Sequence, residues 1–331
     1  MTFRLHPLFA DHMVLQADKP LRIFGEGEGT VSVSFRGVRA EAEAADGKWT
    51  VILPPQPYGE GEDLTVSCEE EAVTLHDVCV GDVFILGGQS NMQFKLKDSK
   101  TDTAVFADNA LVRLFSMDRI EASDRFRPCD GWVSCTQKDA PDWSAIGYFF
   151  GNALQQKTGH AVGMITCYQG ASAIESWMSP EALADPRFDL PVSEKHIDHT
   201  YEIYKGWNAN SVLYDFAVKA IAPYTVKRVL WYQGESDTTV AEARIYRDEL
   251  AAMIACWRKV FLQPELPFSV VVIADYDPRR DDGWRLVQEA QMHSDEIPGV
   301  TVVRSADVCE SDNIHPATKS RLAKKLVESA L

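Results

Sequence analysis

The hydrophobic period of the chain changes near Gly81, so neither a single antiparallel sheet nor a helical bundle can serve its whole length. From Leu21 to about Cys79 apolar and polar side chains alternate, as in TVSVSFRG and RAEAEAADGKWTVILP. That is the pattern of strands with one wet face. Asp46-Gly47 supplies a hairpin turn, and DLTVSCEEEAVTLHDV continues in short strands, so residues 1–79 read as a small antiparallel β-sandwich domain. The Gly-rich GEGEGT leads into a strand rather than a helix, which makes it a turn and not a phosphate loop. Beyond it, the apolar runs DVFILG, LVRLFSM, AVGMITCY, KRVLWYQ, FSVVVIAD and VTVVRSAD are separated by helical segments such as SAIGYFFGNALQQKTG and TKSRLAKKLVESAL. Such alternation predicts an α/β domain over residues 80–331, a parallel sheet flanked by helices, with ligands bound outside the carboxyl ends of its strands.

Composition limits the partners. The chain has 331 residues with 33 Lys plus Arg against 49 Asp plus Glu, a net charge of −16. This field repels nucleic acid and anionic membranes. No segment has the length and apolarity of a signal peptide or a membrane span, so the expected location is cytoplasmic. The seven cysteines are scattered and never spaced Cys-x-x-Cys, which predicts reduced, structural thiols. No metal-ligand spacing is visible in the sequence, and neither a metal nor an organic cofactor is expected. Oligomeric state is not legible.

Three strand ends carry chemistry. After the first stands Gly87-Gly88-Gln89-Ser90-Asn91-Met92, where Ser90 begins a helix with its own N–H unused by that helix. It serves either as a helix cap or as a nucleophile. Near the C-terminus Asp312 and His315 lie three residues apart, a spacing at which the carboxylate can orient the imidazole and free Nε2 to take a serine proton. Two solvated side chains are the plainer reading. The third end places Gln233, an amide able to donate to a developing oxyanion, beside Glu235, which either orients other groups or is an ordinary loop acid.

With GGQSNM, WYQGES and DNIHP in that order, and with GASAIESWM and IAPY between them, the chain resembles the sialate O-acetylesterase-like branch of the SGNH hydrolases, a family of carbohydrate esterases. The resemblance covers nearly the whole chain and implies a flavodoxin-like parallel sheet behind an N-terminal β-domain. It also implies Ser90 as nucleophile, His315 as base and Asp312 as its partner. The oxyanion hole would comprise the Ser90 and Gly170 N–H groups and the Gln233 side chain. Where the family often has Gly-Gly-Thr or Gly-Gly-Ser, this chain has Gln169-Gly170-Ala171, and Asp215 stands where Asn is common.

The implied activity is removal of O-acetyl groups from sugars. A sialic acid substrate needs a local cation, for which Arg279, Arg280 and Arg285 are available, although an exposed loop of mixed charges explains them equally. Acetylated xylan or mannan oligosaccharides would instead suit aromatic platforms such as Trp177, Trp207, Tyr232 or Trp284. Asn91, Glu235 and Trp177 are expected either to touch the substrate or to orient the groups that do. A non-catalytic carbohydrate-binding protein is the remaining alternative, and the full set of Ser90, Asp312, His315 and Gln233 argues against it.

Overall fold

The computed structural model describes residues 3–100, 107–120 and 125–331. Its first part contains β1 (Phe3–Leu5), β2 (Val14–Gln16), β3 (Leu21–Gly27), β4 (Thr30–Phe35), β5 (Val38–Glu43), β6 (Lys48–Leu53), β7 (Gly59–Cys68) and β8 (Glu71–Gly88). Strands β1, β3 and β6 form one antiparallel sheet, while β5, β4, β7 and β8 form another that β2 joins in parallel. Along β6 every second side chain is buried, so Trp49, Val51 and Leu53 face the core they share with Val31, Val33 and Phe35 of β4.

Asp46 and Gly47 both take positive φ, 53° and 73°, as the turn predicted from sequence requires. One bridge, Ala45 to Lys48, closes it, and β5 and β6 then diverge into different sheets. The turn therefore carries the chain between layers rather than ending a ladder.

The second part adds β9 (Asn109–Ile120), β10 (Arg125–Cys135), β11 (Val162–Tyr168), β12 (Arg228–Tyr232), β13 (Phe268–Val271) and β14 (Val300–Val303). The sheet order is β10-β9-β11-β8-β12-β13-β14, parallel throughout except for the antiparallel edge pair β10 and β9. The helices are α1 (Ser90–Gln93), α2 (Ala145–Thr158), α3 (Val240–Val260), α4 (Asp282–Met292) and α5 (Ser320–Ala330). Helix α2 starts where Ser144 accepts the Gly147 N–H and stops at Gly159 in the left-handed region. No helix among the described residues is long and apolar enough to cross a membrane. Six described cysteines are free, and Cys129 lies outside the described side chains.

The boundary drawn between residues 79 and 80 falls inside one strand. Strand β8 alternates in burial up to Asp77 and is buried without interruption from Val78 to Gly88. Its first half has a wet face in the antiparallel sheet, and its second half is the centre of the parallel one. Further ties cross the same region: Tyr224 Oη donates to the Val14 carbonyl at 2.7 Å, and Lys19 Nζ to that of Val226 at 3.0 Å.

At the end of β8 the backbone passes so close to β12 that a Cβ on Gly88 would lie 2.1 Å from the Tyr232 carbonyl oxygen. Gly88 also has φ of 123°, which side chains rarely adopt. Gly88→Ala should therefore lower unfolding stability by at least ~2 kcal/mol, read as a fall in Tm by calorimetry; an unchanged Tm would contradict this packing.

Candidate active site

Ser90 is the first residue of α1 and follows β8 by two residues, with Gln89 at the cap position. A capping serine would engage a helix N–H, yet Ser90 Oγ lies 2.8 Å from His315 Nε2. With Nε2 accepting the serine proton, the imidazole carries its own hydrogen on Nδ1. The Ser90 N–H has no acceptor among the described residues. Gly170, at the end of β11, stands beside it: a Cβ there would lie 3.6 Å from Ser90 Cβ. The Gly170 N–H donates to Gln93 Oε1 at 2.9 Å.

Asp312 is exposed, and no hydrogen bond or ion pair joins it to His315 among the described residues. Asn313 Oδ1 accepts the His315 N–H at 2.9 Å, so the neighbouring amide closes this bend and leaves the Asp312 carboxylate in water. Gln233 also departs from its expected role. It is fully buried, and its Nε2 donates to the Ser172 carbonyl at 2.9 Å and to Asp237 Oδ2. Both amide hydrogens are thereby used, and Oε1 accepts from Tyr246 Oη at 3.0 Å. Its place is beneath the Gly170–Ser172 turn, holding it.

Trp177 is likewise no sugar platform, since it is fully buried against Trp231 and Trp257 at 5.8 and 6.3 Å between ring centres. Tyr232 and Trp284 are also core residues. Apolar burial of so large a ring outweighs any surface role.

Ser90 and His315 line a cleft of about 450 Å³ together with Gly170, Trp207, Glu235 and Arg279. Sequence reasoning did not single out His196 and Asp198, which also line it. Arg279 donates to His196 Nε2 at 2.9 Å and to Thr238 Oγ1 at 2.8 Å, which holds its guanidinium at the cleft wall. His196 Nδ1 is 3.2 Å from Asp198 Oδ2. The sequence signal was the density of polar groups in KHIDH, but no strand precedes it to mark it as a site.

Behind this wall Glu175, His199 and Asp237 each bring one ligand-type atom within 4.8 Å of the others, a grouping invisible in sequence because the three come from separate segments. The donor types suit a divalent ion. Lys195 Nζ, 2.7 Å from Glu175 Oε1, already stands as the cation of this cluster. Burial first, and then the neighbouring carboxylates, push the carboxyl groups of Asp237 and Glu249 well above the usual range, toward their protonated forms.

Residues 80–331 match the family described as carbohydrate esterase, sialic acid-specific acetylesterase. The chain belongs to that family. It is 26% identical to the human sialate O-acetylesterase over 369 residues, covering 98% of this chain and 69% of that protein. A probable carbohydrate esterase of Arabidopsis thaliana is 28% identical over 180 residues, covering 53% of this chain and 58% of that protein. Among solved structures, a carbohydrate acetylesterase from Xanthomonas citri superposes with a TM-score of 0.85 at 30% identity, over 99% of this chain and 74% of that one. The fold and the cleft thus sit in a sialate O-acetylesterase-like carbohydrate acetylesterase.

Acetylesterase chemistry by a serine needs a neutral imidazole beside it. Burial, and after it the nearby Lys319 ammonium, lower the His315 pKa from its ordinary 6.5, because each disfavours the charged ring. The neutral ring therefore persists into more acidic solution. In a pH–rate profile of ester hydrolysis, kcat/KM should stay level below the ordinary imidazole value and fall only when pH drops through the lowered pKa. An acidic limb at or above 6.5 would contradict the arrangement.

Proposed function

We propose that the chain is a serine carbohydrate esterase with an SGNH-type catalytic domain, and that it removes O-acetyl groups from sugars. The observation that carries this is the 2.8 Å contact of Ser90 Oγ with His315 Nε2 in a cleft at the carboxyl end of the central strand. His315 takes the Ser90 proton as Oγ attacks the acetyl carbonyl. The Ser90 N–H and the Gly170 N–H receive the developing oxyanion, the latter once Gln93 Oε1 leaves it. The sugar oxygen departs with the proton from His315, and water repeats the sequence on the acetyl-enzyme to release acetate. Asp312 is the carboxylate assigned to Nδ1, on the support of its place three residues upstream in the same bend-rich segment. Ser90→Ala should cut acetate release by at least ~10³-fold, and a variant retaining substantial activity would overturn the assignment.

The substrate we assign is an O-acetylated sialic acid. Its carboxylate requires a fixed cation in a chain of net charge −16, and Arg279 on the cleft wall is such a group. A neutral acetylated hemicellulose is the second reading, favoured by Tyr204 and Trp207, whose rings lie 5.4 Å apart on the same cleft. Arg279→Ala should raise KM for an O-acetylated sialic acid by ~10-fold or more while leaving that for acetylated xylo-oligosaccharides within about twofold. Equal effects on both, or activity on the neutral ester alone, would favour the second reading.

A further inference from the structure

The mechanism leaves one buried ionic group unused. Lys319, the residue before α5, is fully buried, and its ammonium lies 5.0 Å from the centre of the Phe94 ring and 5.5 Å from that of Tyr232. Its Nζ donates to Asn91 Oδ1 at 2.6 Å. Asn91, itself 1% exposed, donates from Nδ2 to Glu235 Oε1 at 2.6 Å and to the Ile314 carbonyl at 2.9 Å. Asn91 follows the serine, and Ile314 precedes the histidine. One side-chain amide thus ties the two backbones that carry Ser90 and His315, with both of its N–H hydrogens and its carbonyl oxygen engaged.

We propose that Lys319 is a positioning residue for this reaction: through Asn91 it fixes the His315 segment against the nucleophile helix. Beside that geometry, its ammonium adds to burial in disfavouring the charged imidazole. The inference rests on the reading of Ser90 and His315 as nucleophile and base. Without the ammonium, Asn91 Oδ1 loses the one donor it has among the described residues while buried, and the amide is free to turn. The tether to Ile314 then loosens, and so does the Oγ to Nε2 distance that it sets. Such a group acts on the chemical step rather than on substrate capture, since Lys319 does not line the cleft.

The charged and titratable groups around the ammonium are Tyr232 at the end of β12, Glu235 from the segment after it, Cys309 and Glu310 from the segment after β14, and His315 itself. Glu235 Oε1 is already taken by Asn91, and its Oε2 is buried without a hydrogen-bond partner among the described residues. Burial, only partly opposed by Cys309, Glu235 and Glu310, brings the Lys319 pKa down to about 8, so the group still carries its charge at neutral pH.

The test compares Lys319→Met, which keeps the apolar stem, with Asn91→Ala, which cuts the tether and keeps the charge. Acetate release is followed over pH, with Ser90→Ala measured alongside and folding checked by near-UV circular dichroism. Lys319→Met should lower kcat by ~10- to 100-fold with KM within about twofold, and should move the acidic limb of kcat/KM to higher pH. Asn91→Ala should lower kcat similarly while leaving that limb nearer the wild-type position. Wild-type kcat in either variant, or a loss with an unmoved limb in Lys319→Met, would overturn the proposal. If Lys319→Met fails to fold, kcat and KM of Asn91→Ala decide it. An active Ser90→Ala would instead remove the reading beneath it, and an inactive Ser90→Ala beside an unaltered Lys319→Met would remove this inference alone.

Discussion

Close backbone approach along β8 is the constraint on which the rest of the molecule depends. A Cβ at Gly81 would lie 2.1 Å from the Ala161 carbonyl oxygen, and one at Gly88 equally close to that of Tyr232. Glycine at both positions lets β8 lie between β11 and β12 and deliver Ser90 to the cleft between the loops that follow them. The same strand begins in the antiparallel layer, so the N-terminal part is a continuation of the catalytic sheet rather than an attachment to it.

Desolvation sets the electrostatics of the site. His315, Lys319, Glu235 and Asp237 all have pKa values moved by burial toward the neutral form of each group. For His315 this favours the basic ring. For the acids it means that a wall of carboxyl groups does not impose its full formal charge on the cleft. The formal charge of −16 therefore describes the outer surface better than the reaction site.

Much of this was legible in the sequence. The six apolar runs after Gly81 became the strands of the large sheet, because uninterrupted burial leaves an uninterrupted apolar signature. That Ser90 and His315 would reach one cleft was legible because they follow a strand or lead into a helix, while the roles proposed for them rest on the 2.8 Å contact between them. The antiparallel β10 edge was not, since pairing direction leaves no trace in composition. Gln233 was misread because its strand-end position is right while its rotamer is fixed by Ser172, Asp237 and Tyr246, all remote in the chain or invisible as partners. Trp177 was misread for the same reason: whether an aromatic ring faces sugar or core is a property of packing. Lys319 looked like one more cation in TKSRLAKKL, and only its burial sets it apart.

The bond from the Gly170 N–H to Gln93 Oε1 has a consequence for selectivity between reaction states. An amide oxygen and a neutral ester carbonyl are acceptors of similar strength, so exchanging one for the other on that N–H changes little as substrate arrives. As the ester oxygen gains charge it becomes the stronger acceptor by far, and the balance tips. Gln93 is itself exposed, so its displaced amide is taken up by water. In the proposed mechanism, a competitor built into the resting site would withhold this donor from the ground state and yield it to the transition state, which is the condition under which a contact accelerates a reaction instead of merely retaining its substrate.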